Sequence, residues 1–145
     1  MGFFSRFLGN REDKGNVKVL GKLAFLGVDM HNHLLPGIDD GSKNTEQSLA
    51  LINGLQHMGL HNFICTPHIM EGVHQNSKLT ITKACSELEK ALKQGNRKVQ
   101  IQAAAEHMID DGIANLINTD SLCIMPGGYV LIEMSYLSES RALFH

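Results

Sequence analysis

Two histidines, His31 and His33, stand at spacing two just after an apolar run that ends in Asp29, and a Pro-Gly turn then leads to the acidic pair Asp39-Asp40 and Gly41. In an extended backbone, residues i and i+2 share a face about 6.6 Å apart, so both imidazoles can aim at one point beyond the run. Imidazole nitrogen and carboxylate oxygen suit divalent Zn, Mn or Fe, which makes a metal site one reading of the stretch. Two surface histidines beside a turn is the other. Ligand-type residues recur after later apolar runs: His68 after Asn62–Pro67, Glu106 and His107 after Val99–Ala105, and Glu133 after Tyr129–Ile132. Taken singly, His68 suits a loop histidine. Glu106 and Glu133 close apolar stretches where an unpaired carboxylate is costly, so each wants a cation or a strong hydrogen-bond donor.

Such residues need a scaffold that carries the run ends to one place. Leu23–Asp29 is expected as a first strand covered on both faces. Ser42 or Asn44 can cap a helix from about Thr45 to Met58, where Leu49, Ile52, Leu55 and Met58 follow helical spacing and Gly59 stops it. Asn62–Pro67 is a second strand, Ile69–Gln75 a loop, and Leu79 to about Lys93 a helix with Ile81, Ala84, Cys85, Leu88 and Leu92 inward. Val99–Ala105 is a third strand. Ile109–Asn118 reads as a short helix with Asp110 and Asp111 in its first turn, where negative charge suits the dipole. Tyr129–Ile132 follows a Pro-Gly-Gly turn as a fourth strand, and a last helix begins near Tyr136 or Leu137. This alternation predicts an α/β fold with parallel strands, whose C-terminal ends gather the site.

Composition narrows the rest. A chain of 145 residues is one domain with enough length for a core. A net charge of −2 argues against a nucleic-acid partner. Eight histidines are a compositional hint of metal. Cys65, Cys85 and Cys123 are odd in number and lack C-x-x-C pairing, which predicts reduced thiols and a cytoplasmic location. No apolar run reaches the length of a transmembrane segment, and the N-terminus lacks a signal-peptide h-region. Residues 1–24, with Phe3, Phe4, Phe7 and Leu8 before a polar stretch, read as an arm and linker ahead of a domain at 25–145.

Four motifs in order carry a resemblance: Asp29-Met-His-Asn-His-Leu-Leu-Pro-Gly-Ile-Asp-Asp-Gly-Ser42, Cys65-Thr-Pro-His68, Ala105-Glu-His107 and Leu131-Ile-Glu-Met-Ser135. Over about residues 27–140 the chain resembles the PHP (polymerase and histidinol phosphatase) superfamily. Within it, the chain is most similar to the bacterial manganese-dependent protein-tyrosine phosphatases of capsule and exopolysaccharide operons, the CpsB/YwqE type. The resemblance implies a parallel (β/α) barrel of the PHP type, a distorted (β/α)7, with up to three metal ions at the strand C-termini. It implies that His31 and His33 bind one ion together with a bridging Glu106, that Glu133 helps to hold a second, and that Asp40 and His68 bind a third. Asp39 is the alternative to its neighbour. Manganese is the implied ion, with iron or zinc as other candidates. The family's remaining motifs, an H-x-E-R type segment and a late Asp-x-His, do not occur in the sequence. The chain is therefore expected to hold roughly the first half of the barrel.

The chemistry implied is phosphomonoester hydrolysis by a metal-bound hydroxide, in which closely spaced ions lower the pKa of a bridging water and screen the phosphate oxygens. No covalent nucleophile is needed, and the Cys-x5-Arg signature of thiol phosphatases is absent at all three cysteines. His107 is a candidate proton-donating helper, or else a satisfied histidine. The implied substrate is the phosphotyrosine tail of a membrane-associated bacterial tyrosine kinase that controls polysaccharide export. Two alternatives stand beside it: a small-molecule phosphatase of the histidinol-phosphate kind, and a non-catalytic association fragment, prone to homo-oligomerise through an unpaired strand edge.

Overall fold

Parallel pairing between short strands organises the chain, and the computed structural model describes it over residues 21–136 and 140. Strand β1 (Asn62–Cys65) pairs in parallel with β3 (Gln100–Ala103), and β2 (His68–Ile69), β4 (Glu106–Met108) and β5 (Leu131–Glu133) form a second parallel sheet in the order β2-β4-β5. Helix α1 (Thr45–His57) joins the His31 region to β1, α2 (Lys78–Gln94) joins β2 to β3, and α3 (Ile113–Asn118) lies between β4 and β5. The expected α/β architecture with parallel strands is present. Residues 1–20 of the arm expected at 1–24, and the helix expected from Tyr136 or Leu137 beyond residue 136, lie outside the described residues.

The strand expected at Leu23–Asp29 is not formed. Ala24–Leu26 makes one 3-10 turn, and Gly27 at φ +72° carries the chain out of an extended path. Only Asp29 pairs, in a single parallel bridge to Phe63. Phe25 is 81% exposed, so this apolar run is not covered on both faces.

The expected strands Asn62–Pro67 and Val99–Ala105 each end two residues early, at Cys65 and Ala103, and a further strand begins just past each expected end. Ala104 N–H donates to Cys65 O at 2.8 Å, but Ala105 N–H turns to Cys123 O at 3.2 Å, and Glu106 N–H then returns to Pro67 O at 3.0 Å. Pro67 has no N–H to offer a ladder. The sheet therefore pivots at Thr66-Pro67 and Ala104-Ala105, and the residues after each pivot are His68 and Glu106. These two stand at the start of β2 and β4 rather than past the end of a strand. The expected loop Ile69–Gln75 contributes Ile69 to β2 and closes with a Met70–His74 bridge.

Both longer helices follow local chemistry. The Asn44 side chain accepts from Gln47 N–H at 2.9 Å, so Asn44 rather than Ser42 caps α1, and Gly59 follows its end at φ +97°. Ser77 and Thr80 form a capping box at α2. Helix α3 begins four residues later than expected. Asp110 and Asp111 precede it, and the Asp110 carboxylate accepts from Gly112 and Glu71 N–H groups at 3.0 and 2.7 Å. Ile52 of α1 and Ile81, Leu88 and Leu92 of α2 pack with Phe63, Leu35 and Ile101 in the core.

Candidate metal centre

The loop from His33 to Ser42 closes on itself, with Ser42 N–H donating to His33 O at 3.0 Å and Gly37 N–H to Ser42 O at 2.7 Å. Gly41 passes so close to His33 that a Cβ there would overlap the His33 Cβ and carbonyl oxygen. The adjacent carboxylates point different ways. The Asp39 side chain is buried and accepts three hydrogen bonds, from His33 Nδ1 (2.8 Å), Gly41 N (3.0 Å) and His68 N (3.2 Å). Asp40 is exposed and turns its Oδ1 to within 3.6 Å of His68 Nε2. Asp39 is thus the carboxylate that orients His33, a role the sequence does not distinguish from that of Asp40.

All six residues expected as ligands come together. Glu106, only 5% exposed, is the hub: its Oε2 lies 3.1 Å from His31 Nε2, 3.4 Å from His33 Nε2 and 3.5 Å from His68 Nδ1. Glu133 Oε2 lies 3.2 Å from the same His68 Nδ1. Three overlapping trios, His31–His33–Glu106, His33–Asp40–His68 and His68–Glu106–Glu133, each hold their ligand atoms within 4.8 Å of one another. His33 belongs to two trios, but Asp39 takes its Nδ1, so its Nε2 is left for the Glu106 side. His68 offers Nε2 to Asp40 and Nδ1 to the two glutamates.

These donors fit divalent cations. His68 Nδ1 and Glu133 Oε2 are buried and close, yet neither has a hydrogen-bond partner. Facing polar atoms that are ion-pair close but not bonded are what a shared cation would satisfy. Nitrogen and carboxylate donors in such a mixture suit Mn, Fe or Zn. The hydrogen bond to Asp39 and the neighbouring carboxylates hold the His33 pKa above 6.5 against burial. Burial pushes Asp39 up, but hydrogen bonds from His33 and the Gly41 and His68 backbone outweigh it and hold it below 3.8.

His107, the candidate helper, has no ring nitrogen free. It is fully buried, with Nδ1 donating to Leu131 O at 3.2 Å and Nε2 accepting from Cys123 N–H at 3.1 Å. Burial lowers its pKa, which suits a neutral ring that joins β4 to β5 and to the loop before it. Two further residues escape sequence reasoning. His74 stacks on His68 with centroids 5.4 Å apart at 14°. Asn76 donates through Nδ2 to Ile38 O (2.8 Å) and His68 O (2.9 Å), tying the acidic loop to β2. A histidine or asparagine in a short loop carries no spacing signal that would mark it.

Comparison with known proteins places this arrangement. The family model described as "Capsular polysaccharide synthesis, CpsB/CapC" matches residues 27–145. Tyrosine-protein phosphatase YwqE of Bacillus subtilis (strain 168) is 26% identical over 110 residues, covering 75% of this chain and 43% of the relative. Tyrosine-protein phosphatase CpsB of Streptococcus pneumoniae is 24% identical over 117 residues, covering 80% and 48%. Among solved structures, those of YwqE from Bacillus subtilis and CpsB from Streptococcus pneumoniae, described as unique metal-dependent tyrosine phosphatases, provide a match with a TM-score of 0.69 at 25% identity. It covers 75% of this chain and 44% of the other. The chain spans under half the length of each of these relatives.

Proposed function

Because this chain belongs to the CpsB/CapC family of capsular polysaccharide synthesis, we propose that it supplies the ligand cluster of a metal-dependent protein-tyrosine phosphatase. The observation that carries the reading is the convergence of His31, His33, Asp40, His68, Glu106 and Glu133 into three overlapping trios, two of which share the buried Glu106 carboxylate. In this reading His31, His33 and Glu106 hold one ion, Glu106 and Glu133 a second, and Asp40 and His68 a third, with manganese the ion of choice. When bound, such ions supply an activated water and positive charge against the phosphate oxygens. The chain's own residues do the rest. Asp39 fixes the His33 ring so that its Nε2 faces the cluster. His31 and Asp40 stand exposed at the rim while Glu106 forms the floor, so a phosphate group can approach the cluster from the rim side.

The phosphotyrosine tail of a bacterial tyrosine kinase is the substrate this reading favours, and the cytoplasm the location. Three buried free cysteines support a reducing compartment, and no helix among the described residues is long and apolar enough to cross a membrane. Burial raises the pKa of all three thiols, Cys85 to about 11, which argues against thiolate chemistry. The pivoting parallel sheets support a PHP-type barrel of which this chain would form about the first half. Among the described residues the one arginine, Arg97, pairs with Leu49 and Asn53 of α1 and not with the cluster, so turnover by this chain alone is expected to be slow.

The test pairs Mn2+ uptake with phosphate release from a phosphotyrosine peptide and from histidinol phosphate. Uptake that disappears in His31→Ala/His33→Ala, with peptide hydrolysis slow and histidinol phosphate untouched, is the expected result. A folded chain that takes up no Mn2+, or hydrolysis that survives the double substitution, overturns the proposal. A second reading, association with another polypeptide, is favoured by β5, which pairs only with β4 among the described residues while Tyr129, Ile132 and Met134 are exposed. Concentration-dependent sedimentation without hydrolysis would favour it.

A further inference from the structure

We infer that Asn32, the residue between the two histidines, is a positioning residue that sets the His31–His33 pair against the end of β1 that leads to His68, through its side-chain amide on Ile64 O and its backbone on Thr66; this rests on the metal-centre reading above. Alternation along the chain turns the Asn32 side chain away from the two rings and into the protein, where the residue is 9% exposed. Its Nδ2 donates to Ile64 O at 3.2 Å and, at 3.4 Å, to Asp29 O. Its backbone N–H donates to Thr66 Oγ1 at 3.1 Å, while Thr66 N–H and hydroxyl donate back to Asn32 O at 2.9 and 3.3 Å. Thr66 is fully buried.

The location explains the need. Regular pairing beside β1 ends after the single Asp29–Phe63 bridge, and β1 itself gives way at Thr66-Pro67 before β2 begins. His31 and His33 lie past the point where ladder hydrogen bonds would fix them, whereas His68 opens β2 and pairs with Glu106 of β4. Side chains help there: the Asn32 amide ties the His31–His33 segment to Ile64 of β1, and the Thr66 hydroxyl, beside the Thr66 N–H, ties it to the pivot. Asn32 Oδ1 has no hydrogen-bond partner. A buried acceptor left unpaired is costly, so general stability is a poor reason for an amide at this position. Its use is geometric. The imidazoles must meet Glu106 at 3.1 and 3.4 Å, and partners behind a ligand commonly govern metal affinity.

Mn2+ binding by the full 145-residue chain, followed by the electron paramagnetic resonance signal of free Mn2+, tests the inference. Far-UV circular dichroism reports the fold, and long-range 1H–15N spectra report the histidine rings without added metal. Asn32→Ala and Thr66→Val are each expected to weaken Mn2+ binding about 10- to 100-fold with the fold retained, and to shift the His31 and His33 ring signals. Thr66→Ser, which keeps the hydroxyl, is expected to bind as the parent does. Asn32→Ala removes the amide bonds to Ile64 and Asp29, and Thr66→Val removes the hydroxyl bonds to the Asn32 backbone, so the double substitution is expected to weaken binding more than either single one. A folded Asn32→Ala or Thr66→Val protein with parental affinity overturns the inference. So does Thr66→Ser binding as weakly as Thr66→Val. Loss of fold in both Asn32→Ala and Thr66→Val overturns it too, because the link would then hold the fold and not the ligand geometry.

Discussion

Asp39 accepts the Nδ1–H of His33 at 2.8 Å, in the buried floor of a loop whose next residue faces the other way. This pair makes stability depend on pH from both sides. The folded pKa of His33 is raised above 6.5, so its contribution is complete below 6.5 and is lost as pH rises through the raised value. The folded pKa of Asp39 is lowered below 3.8, so its contribution is present above 3.8 and is lost as pH falls through the lowered value. Urea unfolding without added metal is expected to show both limbs, and Asp39→Asn to flatten both. An unchanged profile in Asp39→Asn would show that the pair does not govern them.

His107 is expected to act in the opposite sense to His33. Its folded pKa is lowered by burial, so its contribution is present above 6.5 and is lost as pH falls below that value. Replacing it by Leu leaves Leu131 C=O and Cys123 N–H without their ring partner, at a cost of about 1–3 kcal/mol for each group. The urea midpoint of His107→Leu is expected to drop at pH 7.5 and to lose its slope just below pH 6.5. A midpoint equal to the parent's would show that neither bond matters.

Asn76 holds the acidic loop and β2 by two carbonyls. Asn76→Ala is expected to lower stability by about 1–3 kcal/mol. The loss should be local as well as global, because the Gly41 and His68 amides both donate to the Asp39 carboxylate that this loop carries. Amide hydrogen exchange at those two positions is the measurement. Protection equal to the parent's would exclude a role for Asn76 in fixing the loop.

Leu88 is fully buried on α2, whereas Leu79 on the same helix is 79% exposed. Leu88→Ala is expected to cost about 2–5 kcal/mol in urea unfolding, and Leu79→Ala to stay within about 0.5 kcal/mol. Equal costs would show that α2 does not pack by the face described.

The helices are legible in the sequence because their information is local. Ile81, Ala84, Cys85, Leu88 and Leu92 recur at helical spacing, and all five face inward in α2. The ligand-type residues are legible because each follows an apolar run. What the sequence hides depends on distant partners. Leu23–Asp29 has the composition of a buried strand, but nothing among the described residues covers Phe25. The pivot at Ala104-Ala105 exists because the Ala105 N–H finds Cys123, a residue well along the chain. Asp39 and Asp40 are chemically alike, and what separates them is spatial: Asp39 meets the His33 ring and the Gly41 and His68 amides.

The strands that carry the cluster are all parallel, and this bears on the order in which the molecule forms. Parallel neighbours cannot be joined by a tight turn, so each pairing waits for a whole crossover to dock. His31 meets Glu106, and His68 meets Glu133, only after such connections close. Contacts this distant in sequence tend to arrive late in folding. Groups that meet after the rate-limiting step slow escape from the native state and leave its rate of formation almost unchanged. The cluster is thus a latch on the finished fold rather than a seed for it.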